Sequence, residues 1–273
     1  MEQKVVLITG ASAGIGLSAA LQLMNKGVRV YAASRRGGTN QKAQNGVGEL
    51  IHVKMDVNIE AEIEAVVKQI MLENKHLDAV ISNAGNGIAG SIEETSDEEM
   101  RYQFETNFFG AIKTIQACLP IFRAQGYGKV ITTSSMAAVV PIPYQAFYSA
   151  VKSALLVFMQ ALTLEVKPFG IQCCTILPGD TITEFTAERK YNKKSKLESS
   201  PYLKRMTVSV GKMEKDEQNG MNADEVAAEM VKQVMSKNMK IIVIPGLQYK
   251  IFYWLFNRLP ARFSLWIVNM VYS

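Results

Sequence analysis

Tyr148 and Lys152 stand four positions apart in the stretch AFYSAVKSAL, residues 146 to 155. If the stretch is helical, positions i and i+4 share a face and the ammonium lies within a few ångströms of the phenolic oxygen. That geometry makes an acid. The same spacing also suits an ordinary amphipathic helix whose Tyr is half buried and whose Lys stem reaches water, so the rest of the chain has to decide.

A second candidate lies at the N-terminus. The stretch VLITGASAGIGLSAA places Gly10, Gly14 and Gly16 between an apolar run and a helical pattern. A strand that ends in glycines and feeds a helix presents bare amides and the positive helix end to a diphosphate. The spacing is G-x-x-x-G-x-G rather than the general G-x-G-x-x-G fingerprint. The second strand ends AASRRG, with Ser34, Arg35 and Arg36 where a carboxylate would bind the ribose hydroxyls of NAD. Two guanidinium forks suit a 2′-phosphate, so NADP(H) is the expected form.

These residues need a scaffold, and the chain is long enough to supply one. Its 273 residues are 48% hydrophobic, sufficient for a substantial core without metal or disulfide. The odd set Cys118, Cys173 and Cys174 lies in apolar surroundings and reads as reduced, which fits a cytoplasmic protein. His52 and His76 are the only histidines and lack ligand-spaced partners, which argues against a metal site and a Ser/His/Asp triad. The net charge of +5 is mild and selects no partner class alone. The opening MEQKVVLITG enters a strand-like run at once and is read as carrying no targeting segment, and no run of 18 uninterrupted apolar residues argues for a spanning helix.

Short β-branched runs alternate with helical patterns along most of the chain. Strands are expected at residues 4–9, 28–34, 50–55, 77–82, 129–134, 171–177 and 240–244, nearly continuous in apolar character, as in a parallel sheet covered on both faces. Between them lie helical stretches such as EAEIEAVVKQIMLEN and DEVAAEMVKQVMSK, the latter led by Asn222 with Glu225 as a capping box.

Taken together, TGASAGIG (9–16), NAG (83–85), Asn107 in ETNFFG, Ser135 in ITTSSM, the Tyr148–Lys152 pair and PGDTIT (178–183) resemble the short-chain dehydrogenase/reductase family. The likeness runs in order from residue 4 to about residue 185. It implies an α/β fold, a single Rossmann-type domain over residues 1–273 with a doubly wound, parallel, seven-stranded sheet and helices on both faces. It also implies a catalytic set of Asn107, Ser135, Tyr148 and Lys152. In that reading Tyr148 is general acid in ketone reduction and general base in alcohol oxidation. A phenol titrates near roughly 10, and a cation within about 4 to 6 Å lowers that by roughly 1 to 3 units. Ser135 donates to the substrate oxygen, Lys152 also binds ribose hydroxyls, and Asn107 holds a water linking Lys152 to solvent. Ser135 is chosen over Ser134 because its offset to the tyrosine matches the family pattern.

The resemblance places the dinucleotide against Gly10, Ser12, Gly14, Ile15 and Gly16, then Ser34, Arg35 and Arg36, and Asp56 and Val57 at the adenine. Asn83, Ala84 and Gly85 support it, and Pro178, Gly179, Thr181 and Thr183 meet the carboxamide end. Val151 and Ala138 stand where the family commonly has Ser and Gly. In that reading Val151 removes a hydroxyl near the cofactor, which bears on fine positioning more than on the chemistry.

Substrate choice is expected in the variable parts. Residues 184–221 contain no convincing strand and are dense in Lys and Arg, and the resemblance makes them a lid; solvation is the leading account of the charge, attraction of an anionic or lipid partner the second. The tail, about 246–273, is rich in aromatic and aliphatic residues, carries Lys250, Arg258 and Arg262 but no acid, and is divided by Pro260. It reads as an interfacial helix pair on a membrane surface, as a cover for the pocket, or as a subunit contact. By analogy the substrate is a hydrophobic carbonyl or alcohol, a hydroxysteroid or lipid-like ketone. A 3-oxoacyl thioester reductase and a non-catalytic NADPH sensor are the competing readings. Nucleic acid is not an expected partner, and the resemblance implies a homodimer or homotetramer through helices near residues 100–124 and 147–167.

Overall fold

The computed structural model describes residues 3–44 and 46–272; residues 1, 2 and 273, at the ends of the expected domain and tail, lie outside the described residues. Twelve strands are found among them: β1 (Val5–Thr9), β2 (Arg29–Ser34), β3 (Gln41–Lys42), β4 (Glu49–Lys54), β5 (Ala79–Ser82), β6 (Ile88–Ala89), β7 (Gly128–Thr133), β8 (Ile171–Ile176), β9 (Thr181–Ile182), β10 (Lys190–Tyr191), β11 (Met221–Asn222) and β12 (Ile242–Val243). The helices are α1 (Gly14–Asn25), α2 (Glu60–Asn74), α3 (Asp97–Phe104), α4 (Gly110–Gln125), α5 (Ala146–Val166), α6 (Phe185–Glu188), α7 (Leu203–Gln218), α8 (Ala223–Met235), α9 (Leu247–Phe256) and α10 (Ala261–Tyr272). A π-helical turn, Glu105–Phe109, joins α3 to α4.

The main sheet runs β12-β8-β7-β5-β1-β2-β4-β3. Its first seven strands pair in parallel, and the two-residue β3, unanticipated in the sequence, adds an antiparallel edge on β4. The seven parallel strands are the expected ones, with ends that differ by one or two residues. Alternation along β1 explains the two layers. Val5 and Leu7 pack with Ile63, Ile70, Ile115, Phe122 and Leu155 from α2, α4 and α5. Val6 and Ile8, one residue out of phase, pack with Ala19, Leu23, Val226 and Met230 from α1 and α8. Every residue of β1 is buried. The three cysteines are free and buried in these layers.

Sheet order reverses between β1 and β5, so the loops after these strands splay apart and leave a crevice at their carboxyl ends. Helix α5 carries Tyr148 and Lys152 towards it. By length and apolarity Ala146–Phe169 could cross a membrane, but Leu155, Met159, Leu162 and Val166 on its inner face belong to the core.

Residues 184–221 correct two expectations. They hold short parallel pairings after all: β10 sits on β6, and β11 on β9. Nor is their positive charge simply solvated. The Arg189 side chain is fully buried against Glu217 at 2.5 Å, and Lys196 lies 3.6 Å from the centre of the Tyr191 ring. The capping box of α8 is present, with Asn222 accepting from Asp224 N–H at 3.0 Å.

Candidate active site

The glycine turn is built by close approach. A Cβ on Gly10, which holds φ +66°, would stand 2.7 Å from Ala84 Cα, and one on Gly16 would stand 2.4 Å from the Gly10 carbonyl oxygen. Only hydrogen fits at either place. Helix α1 starts from Ala13, which offers no side-chain cap. The N–H groups of its first turn therefore lack side-chain acceptors and face the crevice with the positive helix end. Donors of this kind suit a diphosphate, and Ile15 and Ser12 share the same turn.

The NAG segment is tied to that turn. The Thr9 hydroxyl accepts from the N–H groups of Asn83 and Ala84, each at 3.0 Å, and the Asn83 amide donates to Gly10 O at 3.2 Å. Thr133 on β7 donates to Asn83 Oδ1 at 2.9 Å. Thr9 opens the recognised motif, but its hydroxyl's task was not read from it.

At the end of β2, Ser34 is buried and its hydroxyl accepts from Gly37 N–H at 3.1 Å. Arg35 is exposed. Arg36 donates from Nη2 to the Ser12 hydroxyl at 3.2 Å and pairs with Glu188 of α6 at 3.2 Å. One of the two guanidinium groups thus hangs directly over the glycine turn. Asp56 accepts from Asn58 N–H at 2.9 Å, and Val57 packs under Gly110.

Asn107 lies in the π-helical turn, which rotates it inward. Its Nδ2 donates to Gln103 O at 2.9 Å, Asn86 Oδ1 at 2.9 Å and Asn86 O at 3.1 Å. Gln103 in turn donates to Asn86 O and accepts from Ile88 N–H, both at 2.8 Å. These two supporting residues went unnoticed in the sequence, where no motif marks them. A Cβ on Gly85 would be 2.8 Å from Asn107 Oδ1 and 3.7 Å from Lys152 Nζ, so one glycine separates the two side chains.

Ser135 begins a short 3-10 turn after β7. Its Oγ accepts from Ala137 N–H at 3.1 Å, and its hydroxyl meets the Tyr148 phenol, a contact that favours the phenolate. Ser134 faces elsewhere, donating to Lys152 O at 2.8 Å. Lys152 is buried; its Nζ donates to Thr133 O at 2.9 Å and lies 5.6 Å from the centre of the Tyr148 ring. The structure therefore brings Asn107, Ser135, Tyr148 and Lys152 together.

The electrostatics run opposite to the expectation. Burial pushes the Tyr148 phenol up to about 12, the carboxylate of Glu217 adds to the rise, and the Ser135 hydrogen bond and Arg189 only partly oppose it. Burial also pushes Lys152 down to about 8. Removal from water penalises both charged forms.

Two neighbours of Tyr148 come from the lid. Phe185 tilts against it with ring centres 5.7 Å apart, and the Arg189 guanidinium lies 5.6 Å from the centre of the Phe185 ring. On the opposite wall, Pro178 O accepts from Met136 N–H at 2.8 Å. Gly179 is covered by the Tyr249 ring of α9, whose hydroxyl donates to Asp180 Oδ2 at 3.2 Å. Thr181 donates to Gly179 O at 2.9 Å, and the Thr183 methyl rests against Gly14. The tail thus reaches the turn after β8 through Tyr249 of α9.

Residues 4–194 match the short chain dehydrogenase family. The chain belongs to that family. Among curated short-chain dehydrogenase relatives, it is 37% identical over 238 residues to the 3-ketodihydrosphingosine reductase of Bacteroides thetaiotaomicron, covering 87% of this chain and 86% of that one. It is 34% identical to a probable short-chain type dehydrogenase/reductase of Helicobacter pylori, with 94% and 93% covered. A short-chain dehydrogenase from Streptomyces avermitilis superposes with a TM-score of 0.79 at 24% identity, over 92% of this chain and 91% of that one; at that identity the likeness is one of fold. As a family member the chain is an oxidoreductase that uses a nicotinamide dinucleotide and a small-molecule substrate, on an α/β scaffold with a parallel central sheet.

Proposed function

We propose that this short-chain dehydrogenase is an NADP(H)-dependent enzyme interconverting a ketone and a secondary alcohol on a hydrophobic, lipid-like substrate. The observation that carries the reading is the convergence of Ser135, Tyr148, Lys152 and Asn107 beside Gly85, at the mouth of the glycine turn. A binding protein that only sensed the dinucleotide would have no use for a buried phenol placed between a hydroxyl donor and an ammonium.

When bound, the dinucleotide supplies the hydride and leaves a cationic ring. The chain's own groups do the rest. Ser135 donates to the carbonyl oxygen as negative charge grows there, and Tyr148 hands its proton to the same oxygen. A phenol held near 12 keeps its proton at neutral pH, as the acid in ketone reduction must. Lys152 would hold the ribose and lower the cost of the phenolate left behind, and Asn107 would fix a water that returns the proton. The amides of Gly14, Ile15 and Gly16 would hold the diphosphate, and Arg35 and Arg36 the 2′-phosphate that marks NADP(H).

A lipid-like ketone is favoured over a hydroxysteroid or a 3-oxoacyl thioester by the 37% relative, which is named for the reduction of 3-ketodihydrosphingosine. Assays with long-chain ketones, steroid ketones and acyl thioesters under NADPH separate the three. Turnover of the thioesters alone would replace the reading, and tight NADPH binding without any turnover would make the protein a sensor.

The tail supports a peripheral position at a membrane surface. Val268 and Ser264 pack inward from α10, while Leu247, Ile251, Trp254, Leu265, Trp266 and Met270 are exposed. Arg258 stacks over Trp254 at 4.4 Å, and residues 246–273 hold no acid. A second copy meeting this face about a two-fold axis would set cation against cation, whereas an anionic lipid surface complements it. Helices of 10 and 12 residues reach about 15 to 18 Å, short of a bilayer. Exposed Phe109, just ahead of α4, and Val157 and Leu164 of α5 support subunit contacts through these helices.

A further inference from the structure

A cavity of about 800 Å³ lies between the lid and the tail, lined on its apolar side by Ile92, Pro143, Tyr144, Tyr202, Val208 and Tyr272. We propose that this cavity is the subsite for the alkyl chain of the substrate. The proposal rests on the lipid-ketone reading above and names where the chain lies.

Its walls grow from the elements that carry the candidate chemistry. Pro143 and Tyr144 immediately precede α5, one helical turn ahead of Tyr148. Ile92 follows β6, the short strand after the NAG segment. Val208 belongs to α7 and Tyr272 to α10, so lid and tail close the remaining sides. Tyr272, Tyr144 and Tyr191 pack against the buried cluster of Ala89, Met206, Val210 and Met213; the Tyr191 hydroxyl donates to Glu214, which pairs with Arg189 at 3.7 Å, and Arg189 lies over Phe185, the ring against Tyr148. Packed side chains thus run from the cavity wall to the phenol.

Size and chemistry point to a flexible apolar ligand. The volume falls within the roughly 300 to 1,000 Å³ of small-molecule sites. Ser91, Glu93, Lys204, Arg205 and Asn269 complete the lining; Lys204 and Arg205 are exposed, and Glu93 is engaged by the Tyr202 hydroxyl. Tyr144 is held at φ +61°, an uncommon state for a ring-bearing residue, and its carbonyl accepts from Gly90 N–H at 2.8 Å. The constraint fixes the ring in the cavity wall. The same helix that supplies Tyr272 exposes Leu265, Trp266 and Met270, part of the face assigned to the lipid surface.

The test is a chain-length series of methyl ketones with NADPH on the full chain and on Val208→Trp and Ile92→Trp. In the unsubstituted protein kcat/KM should rise roughly threefold to fourfold for each added methylene until the cavity is filled. In both variants the ratio of kcat/KM for the longest to the shortest ketone should fall at least tenfold. An unchanged ratio in both overturns the proposal while leaving the ketone reductase reading intact. If no ketone is turned over, that reading fails separately, and the cavity is decided by equilibrium binding of parinaric acid. Binding weakened at least tenfold in both variants supports the subsite, and equal binding in all three proteins refutes it.

Discussion

The Lys152 ammonium lies 5.6 Å from the centre of the Tyr148 ring, yet the phenol is pushed up to about 12 and the ammonium down to about 8. The helical spacing delivers the contact, and burial decides its electrostatics. Without ligand the pair is a protonated phenol beside an easily discharged amine. A nearby positive charge, such as an oxidised nicotinamide ring, would reverse the balance by favouring the phenolate, so the group becomes a better proton donor when the cofactor site is loaded.

The lowered Lys152 value fixes a pH dependence. Its charged form is present below about 8 and is lost as pH rises through that value. The value of kcat/KM for NADPH, which reports on the free protein, should therefore fall along an alkaline limb near pH 8, and Lys152→Met should remove the limb while lowering the plateau. For stability the sign is opposite. Between about 8 and the unfolded value of 10.5 the unfolded chain binds more protons, so this group makes unfolding free energy rise with pH across that window.

We propose that Arg35 and Arg36 set a preference for NADP(H). Arg35→Asp should lower kcat/KM for NADPH about 10- to 150-fold, the loss of a charge-assisted contact of roughly 1.5 to 3 kcal/mol. The value for NADH should hold or rise. Parallel kinetics with the two cofactors check this, and an unchanged NADPH preference would refute the assignment.

The buried charge in the lid should be costly to strand. Glu217→Gln leaves the Arg189 side chain, fully buried, with Glu214 at 3.7 Å as its remaining acidic partner. Urea unfolding should show a loss of about 3 kcal/mol, and replacing both Arg189 and Glu217 by apolar residues should recover much of it.

The tail gives a binding prediction. The unsubstituted protein should sediment with vesicles containing phosphatidylglycerol, less so at high salt, and Trp254→Ser with Trp266→Ser should weaken that at least tenfold. Undiminished sedimentation of the double variant would contradict the surface reading.

The sheet was legible because its strands are buried on both faces, leaving runs such as Val5–Thr9 unmistakably apolar. The site residues Asn107, Ser135, Tyr148 and Lys152 were legible through their ordered spacing within motifs. Gln103, Phe185, Arg189 and Tyr249 were not, since each reaches the site by tertiary packing that no local pattern encodes. Two-residue pairings such as β10 on β6 were invisible for the same reason. The burial of Arg189 and the raised Tyr148 phenol show the limit most clearly: charge is countable in a sequence, but its exposure to water is set by the fold.

The most direct test of the central claim is NADPH oxidation across a panel of hydrophobic ketones by the unsubstituted protein and by Tyr148→Phe, with NADPH affinity measured beside it. The phenol's proton should be worth about 10² to 10⁴ in rate, so the variant should lose at least a hundredfold in kcat while binding NADPH within a few fold of the parent. A Tyr148→Phe protein that reduces ketones at the parent rate would contradict the account.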